Sequence, residues 1–333
     1  MSDHIPLSLQ TTYRDLLDRQ FRRPTPEVEG SIVLVKNKGT GYWVARRRIG
    51  ARVVEKRIGP DNDQNRRKAE ELRRQNDALQ GWQRETGHLV SQLRAAAMPT
   101  PTPGTGKLLN ALARIGLFRS GGVLAGTHAY GLYALELGVY PKNNLAMTED
   151  VDVAAAKSVN IISGNITNLT TSLEGVGLNP VVGPGEVHPV RWETDDGVVL
   201  DVLTPKRRGG ETSVRHEGLG IWAQALNYLD FILENAIDAV LLYREGIPVR
   251  VPAPERFAVH KLIVASARRG TYRAKSDKDL AQAEWLIGAL AESRPYELSE
   301  ALDAARSRGS RWHRALDDSL DRRPSLKDML IGL

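Results

Sequence analysis

A carboxylate stands inside an apolar run at Val198-Val199-Leu200-Asp201-Val202-Leu203. That density of branched apolar residues reads as a strand in the middle of a sheet, where an unpartnered charge costs on the order of several kcal/mol. A fold that keeps this strand must therefore give Asp201 a solvated face, an arginine such as Arg191, or a cation shared with other acids. Acids for the third solution stand upstream, where Thr148-Glu149-Asp150-Val151-Asp152-Val153 enters a second β-rich segment. Residues at alternate strand positions project from one face, about 6.5 to 7 Å apart, and like charges so placed favour a cation between them. Hard oxygen ligands suit Mg²⁺ or Mn²⁺, and paired ions lie about 3.5 to 4 Å apart, within reach of such carboxylates. An Asp-x-Asp taken alone reads as readily as an exposed turn. With Asp201 added, metal sharing by Asp150, Asp152 and Asp201 is the favoured reading.

The absence of cysteine excludes disulfides, thiol nucleophiles and thiolate metal sites. Histidines show no His-x-x-x-His pair and no serine nucleophile elbow is present, which argues against zinc and serine hydrolysis. Gly104-Thr105-Gly106-Lys107 is no phosphate-binding P-loop, because Pro101 takes the earlier glycine position and Leu108 replaces the magnesium-binding Ser or Thr. Forty-six basic against forty acidic side chains give a net charge of +6, which favours polyanions without requiring them. Lys36, Lys38, Arg46, Arg47, Arg48, Arg52, Lys56 and Arg57 face the single acid Glu55 and neighbour Tyr42 and Trp43. Such a segment suits RNA if its aromatics are exposed, and is an ordinary solvated sheet if Trp43 is core. Met1 to Leu9 lacks a basic start followed by an apolar stretch, and no apolar run is long enough to span a bilayer, so no membrane role and a cytoplasmic location are expected.

Periodicity predicts a helix over Leu7 to Phe21 and strands near Ser31 to Lys36, Tyr42 to Arg47 and Arg52 to Ile58. Asp63 to Ala97 reads as one long helix, or two broken near Gly81 or Gly87, with Asp61 or Asp63 as the cap. The proline- and glycine-rich stretch that follows reads as a linker. The chain thus divides into an accessory region at 1–98, a linker at 99–107, a core at 108–219 and a mostly helical part at 220–333. In the core, helices over Leu108 to Leu117 and Thr127 to Leu137 flank a strand at Gly122 to Gly126, with further strands at Val151 to Ala154, Pro189 to Glu193 and Val198 to Leu203. Beyond Gly220, helices are expected over Ile221 to Glu234, Pro254 to Arg268, Lys278 to Ser293 and the tail, with one strand at Ile247 to Val251. The fold class is α/β of the α+β kind: a small mixed sheet, a helical C-terminal half, and an N-terminal meander with a long helix.

Leu124-Ala125-Gly126-Thr127-His128 joins strand to helix, and first-turn amides together with the helix dipole favour phosphate. The plainer alternative is a glycine turn with Thr127 as N-cap. The series Gly126-Thr127, helix, Asp150-x-Asp152, then Asp201 on a later strand resembles the polymerase-β-type nucleotidyltransferase superfamily. The interval from Thr127 to Asp150 is longer than that pattern, suggesting an inserted loop around Tyr140 to Leu145. Pro252 to Leu262 and Lys278-Asp279-Leu280 look like the helical half of a bacterial branch that includes the abortive-infection type toxins, extending the resemblance over roughly 108–290. It implies a nucleoside triphosphate held by Gly126, Thr127 and Lys261, two Mg²⁺ ions on the three aspartates, and Asp201 closest to the attacking hydroxyl. Lys206, with Arg207 and Arg208, closely follows the Asp201 strand and could contact either triphosphate or acceptor. Asp279, Arg268 and Arg273 would support these, Asp279 by positioning Lys261 or Arg273. Phe257, Lys261, Val264 and Arg268 share a helix face, so Lys261 either snorkels or meets phosphate. The acceptor could be RNA, a protein hydroxyl or a small molecule. The alternative is a catalytically weak RNA-binding or toxin–antitoxin interaction module on the same fold.

Overall fold

The computed structural model describes residues 3–37, 39–49, 52–141, 151–155, 168–183, 185–207, 209–217, 219–268 and 273–331. Asp150, and the part beyond Pro141 of the inserted loop expected around Tyr140 to Leu145, lie outside this set. Helix α1 (Leu7–Phe21) takes the expected span. Strands β1 (Ser31–Asn37), β2 (Thr40–Ile49) and β3 (Arg52–Pro60) form an antiparallel meander. Its Ile32 and Ala45 pack on Ala69 and Leu72 of α2 (Asp63–Ala95), making a small core of their own with Trp43 against it.

Helix α2 runs 33 residues unbroken through Gly81 and Gly87. Its buried residues Ala69, Leu72, Asn76, Leu79, Trp82, Thr86, Val90 and Leu93 recur at intervals of three and four. The continuous packed stripe outweighs the roughly 1 kcal/mol that each interior glycine costs. The N-cap is Asn62, neither of the expected aspartates, and its side chain accepts from the Asn65 amide at 2.9 Å. Asp61 is occupied elsewhere, accepting from Arg66 at 2.7 Å and from the Trp43 indole at 3.1 Å. Buried Asn76 staples the meander to this helix, donating to Val28 O and accepting from the Gly30 amide.

The expected linker is shorter than its composition implies, because α3 (Pro103–Arg114) starts inside it. Thr102 accepts from the Thr105 amide at 3.3 Å, and Pro103 stands at the first turn, where a missing N–H costs nothing. No break in packing marks this point: Tyr13, Leu16, Val90 and Leu93 share the main core with residues as distant as Leu316.

The chain continues through β4 (Gly122–Leu124), α4 (Gly126–Leu137), β5 (Val151–Ala155), α5 (Leu169–Gly175), β6 (Leu178–Val181), β7 (Arg191–Thr194), β8 (Val199–Pro205), β9 (Ser213–His216) and β10 (Ile221–Leu226). These strands form one mixed sheet in the order β4-β5-β8-β10-β9, with β7 also on β8 and β6 on β7. The acid-bearing strand β8 is thus central, as its apolar density requires. Where one helix was expected over Ile221 to Glu234, there are β10 and the short α6 (Leu229–Leu233). Burial of Ile221, Ala223 and Ala225 alternates along β10, and pairing with β8 and β9 overrides the helix preference of Ala, Gln and Leu. Strands β6 and β9 were likewise not expected, nor was β11 (Ile237–Leu241), which pairs antiparallel with β12 (Ile247–Val251). Helices α7 (Pro254–Ala267), α8 (Arg273–Ser293), α9 (Pro295–Arg306), α10 (Ser310–Asp321) and α11 (Pro324–Ile331) complete the chain.

Candidate active site

Strands β5 and β8 run parallel with Asp152 directly opposite Asp201. Residues in register on neighbouring strands, about 4.8 Å apart, face the same side, so the two carboxylates flank one another. Asp201 also meets Arg191, its register partner on β7. The guanidinium donates from Nε to Oδ1 at 2.7 Å and from Nη2 to Oδ2 at 3.0 Å. Of the partners open to Asp201 from sequence, the arginine is therefore the one seen. This pair is open to water on the arginine side, with Arg191 51% and Asp201 16% exposed.

Gly126 starts α4 with φ +62°. A Cβ there would fall on the carboxylate oxygen of Asp152, so both conformation and contact require glycine. The Ala125 amide donates to Asp152 O at 2.8 Å, fixing the turn to the strand. Residue 125 is the N-cap and offers no side-chain oxygen, so Thr127 is not the cap of this helix. Its hydroxyl instead lies 3.4 Å from Nζ of Lys278, which donates to it. Burial, and next the charge of Lys261, lower the pKa of Lys278.

Behind Lys278 stands a buried ionic cluster. Lys261 Nζ lies 2.6 Å from Asp279 Oδ1, and Arg268 Nη1 lies 2.8 Å from Oδ2. The ammonium of Lys261 also stands 5.1 Å from the Phe257 ring centre, bearing out their shared face. Helix α7 ends at Ala267, so Arg268 reaches Asp279 from extended backbone at φ −87° and ψ 111°. Half-buried His260 has its pKa pulled down to about 3 by burial, then by Lys261 and Arg268, and is neutral at physiological pH.

The structure thus brings together Asp152, Asp201, Gly126, Thr127, Lys261, Asp279 and Arg268. Arg273 opens α8 as an exposed residue. Lys206 follows the end of β8, five residues beyond Asp201 and about 16 Å along the strand, away from the acids. Lys278 was missed as a site residue, although its place beside Asp279 in the sequence was the available signal. Among the described residues no three metal-ligating side chains cluster, Asp150 lying outside them. In the meander, Trp43 bonds Asp61 and lies under Arg73, Arg57 covers Tyr42, and Arg46 pairs with Glu55, so its aromatics are not an open stacking face.

Paired strand acids, a glycine–threonine helix start against them and lysines behind it define an α+β protein of the nucleotidyltransferase type. A nucleotidyltransferase family model matches residues 104–307, more than half of the chain, and the chain belongs to that family. No curated protein and no solved structure matches it significantly. Its substrate class is accordingly the nucleoside triphosphates. Among the described residues no helix is long and apolar enough to cross a membrane.

Proposed function

We propose that the chain transfers a nucleoside monophosphate from a nucleoside triphosphate to an acceptor hydroxyl with divalent-metal assistance. The observation that carries this is continuity: Asp201, Asp152, Gly126, Thr127 and Lys278 follow one another in contact or register across the sheet and two helices. Asp152 and Asp201, with Asp150 beside them in sequence, would hold Mg²⁺ or Mn²⁺, and their oxygen donors and shared face fit such ions. When bound, the ions neutralise charge on the triphosphate and lower the pKa of the attacking hydroxyl. Asp201 would exchange Arg191 for the ion, because both compete for the same two oxygens. Thr127 and the first amides of α4 would receive phosphate oxygens, with Lys278 closing over them. Lys261 would act at longer range, since Asp279 already takes much of its charge.

RNA is the acceptor the net charge of +6 favours. The toxin-like branch is part of the same reading and rests on Pro252 to Leu262 and Lys278 to Leu280. Consumption of each labelled nucleoside triphosphate with total cellular RNA, with Mg²⁺ or with chelator, tests it. Asp152→Asn should cut turnover by about 10² or more at unchanged fold. Calorimetry with a non-hydrolysable triphosphate should show Lys278→Ala weakening affinity roughly 10- to 150-fold, and Lys261→Ala weakening it less. Full turnover in Asp152→Asn, or unchanged affinity in both lysine variants, overturns the assignment.

A further inference from the structure

A cavity of about 700 Å³ opens where α1, α2, α3 and β2 meet the β11–β12 hairpin. It shares no residue with the carboxylate site. Strand β4 separates the two: Leu124 pairs with Val153 beside Asp152, whereas Gly122 pairs with Ala155 and is preceded by the cavity residues Phe118 and Arg119. The volume is that of a site for a small organic ligand.

Two features of the lining point to one ligand chemistry. First, Arg23, Arg47, Arg114, Arg119 and Arg250 face only Glu29, Asp238 and Glu245. Glu29 is shared between Arg23 at 3.6 Å and Arg47 at 3.0 Å, and Asp238 lies 4.0 Å from Arg250. Arg114 and Arg119 have no carboxylate partner among the described residues and are exposed. Two such guanidiniums at a cavity mouth suit phosphate, whose oxygens accept in pairs. Second, Phe21 ends α1 with 68% of its surface in water, a bare aromatic face on the same wall.

Inorganic anions would use the arginines alone, and an apolar ligand would leave them unsatisfied. We propose that this cavity binds a nucleoside phosphate, its phosphate on Arg114 and Arg119 and its base on Phe21. The same chemistry is presented by a free nucleotide and by one residue of a single strand.

Calorimetric titration of the full chain in chelator tests this apart from metal-dependent binding at the carboxylates. The probes are each nucleoside monophosphate, inorganic phosphate and a short single-stranded RNA. A monophosphate should bind at least about tenfold tighter than inorganic phosphate. The Arg114→Gln/Arg119→Gln double variant should weaken it about tenfold or more, and Phe21→Ala by roughly 5- to 100-fold. All three side chains are exposed, so these changes spare the core. Asp152→Asn should bind the monophosphate as the parent does, which separates this site from the transfer reaction. RNA binding more than about tenfold tighter than the monophosphate assigns the strand, and equal affinity assigns the free nucleotide. Absence of monophosphate and RNA binding, unchanged affinity in the double variant, or no preference over inorganic phosphate overturns the proposal.

Discussion

Asp201 meets one arginine at the open side of a sheet, whereas Asp279 meets two cations between helices α7 and α8. The first pair leaves Arg191 half in water; the second leaves the Asp279 side chain 3% and Lys261 12% exposed. Exposed pairs contribute about 0 to 1 kcal/mol because water screens them and holding long side chains costs entropy. Removing one member of a buried pair strands its partners without solvent and costs about 3 to 5 kcal/mol. Two aspartates with equally good geometry are therefore unequal in use: one can give up its arginine to another cation, and the other is bound to its place.

The largest effect that could break this contrast is loss of Asp279. Asp279→Asn should lower unfolding free energy by about 3 kcal/mol, the low end of the range because Arg268 keeps some access to water. Denaturant unfolding measures it, and a loss below about 1 kcal/mol would place Asp279 with Asp201. His260 gives a smaller effect of defined sign. An unfolded chain binds a proton near the ordinary histidine value of 6.5, and the folded one only near 3, so the unfolded state holds more protons between them. Its contribution is complete above 6.5 and declines as pH falls towards 3. His260→Gln should therefore lose less stability than the parent between neutral pH and pH 5, by about 2 kcal/mol, and equal losses would show that the histidine titrates normally. The smallest effect is expected at the sheet. Arg191→Gln should change stability by less than about 1 kcal/mol while lowering the Mg²⁺ concentration for half-maximal turnover several-fold. A higher metal requirement in that variant would mean that Arg191 holds Asp201 in position for the ion.

These contrasts were partly visible in the residue order. The acid in β8 announced itself because one charge among five apolar neighbours admits few explanations, and Arg191 stood among them. Which explanation holds depends on β7 lying on that side of β8, a long-range pairing that no local pattern encodes. Helices α1 and α2 were readable from periodicity because each packs a single stripe. Strand β10 was not, since Ala, Gln and Leu favour helix and only its neighbours on both edges make it a strand. Cap positions escaped for a similar reason: Asn62 and Thr102 look like turn and linker until the following amides point at them. Lys278 lies 151 residues from Thr127 in the sequence, so proximity in space, and nothing in spacing, assigns its partner.

The unbroken course of α2 has a mechanical consequence. Its 33 residues make a rod about 50 Å long, clamped by the meander near Leu72 and Asn76 and by the main core near Val90 and Leu93. A rod gripped at both ends transmits angle as well as distance: inserting one residue between the clamps would turn the meander about 100° around the axis, and inserting seven would nearly restore its phase. Arg47 on the meander and Trp82 on the rod line the same cavity, so that cavity's shape is set by torsional register along a single helix.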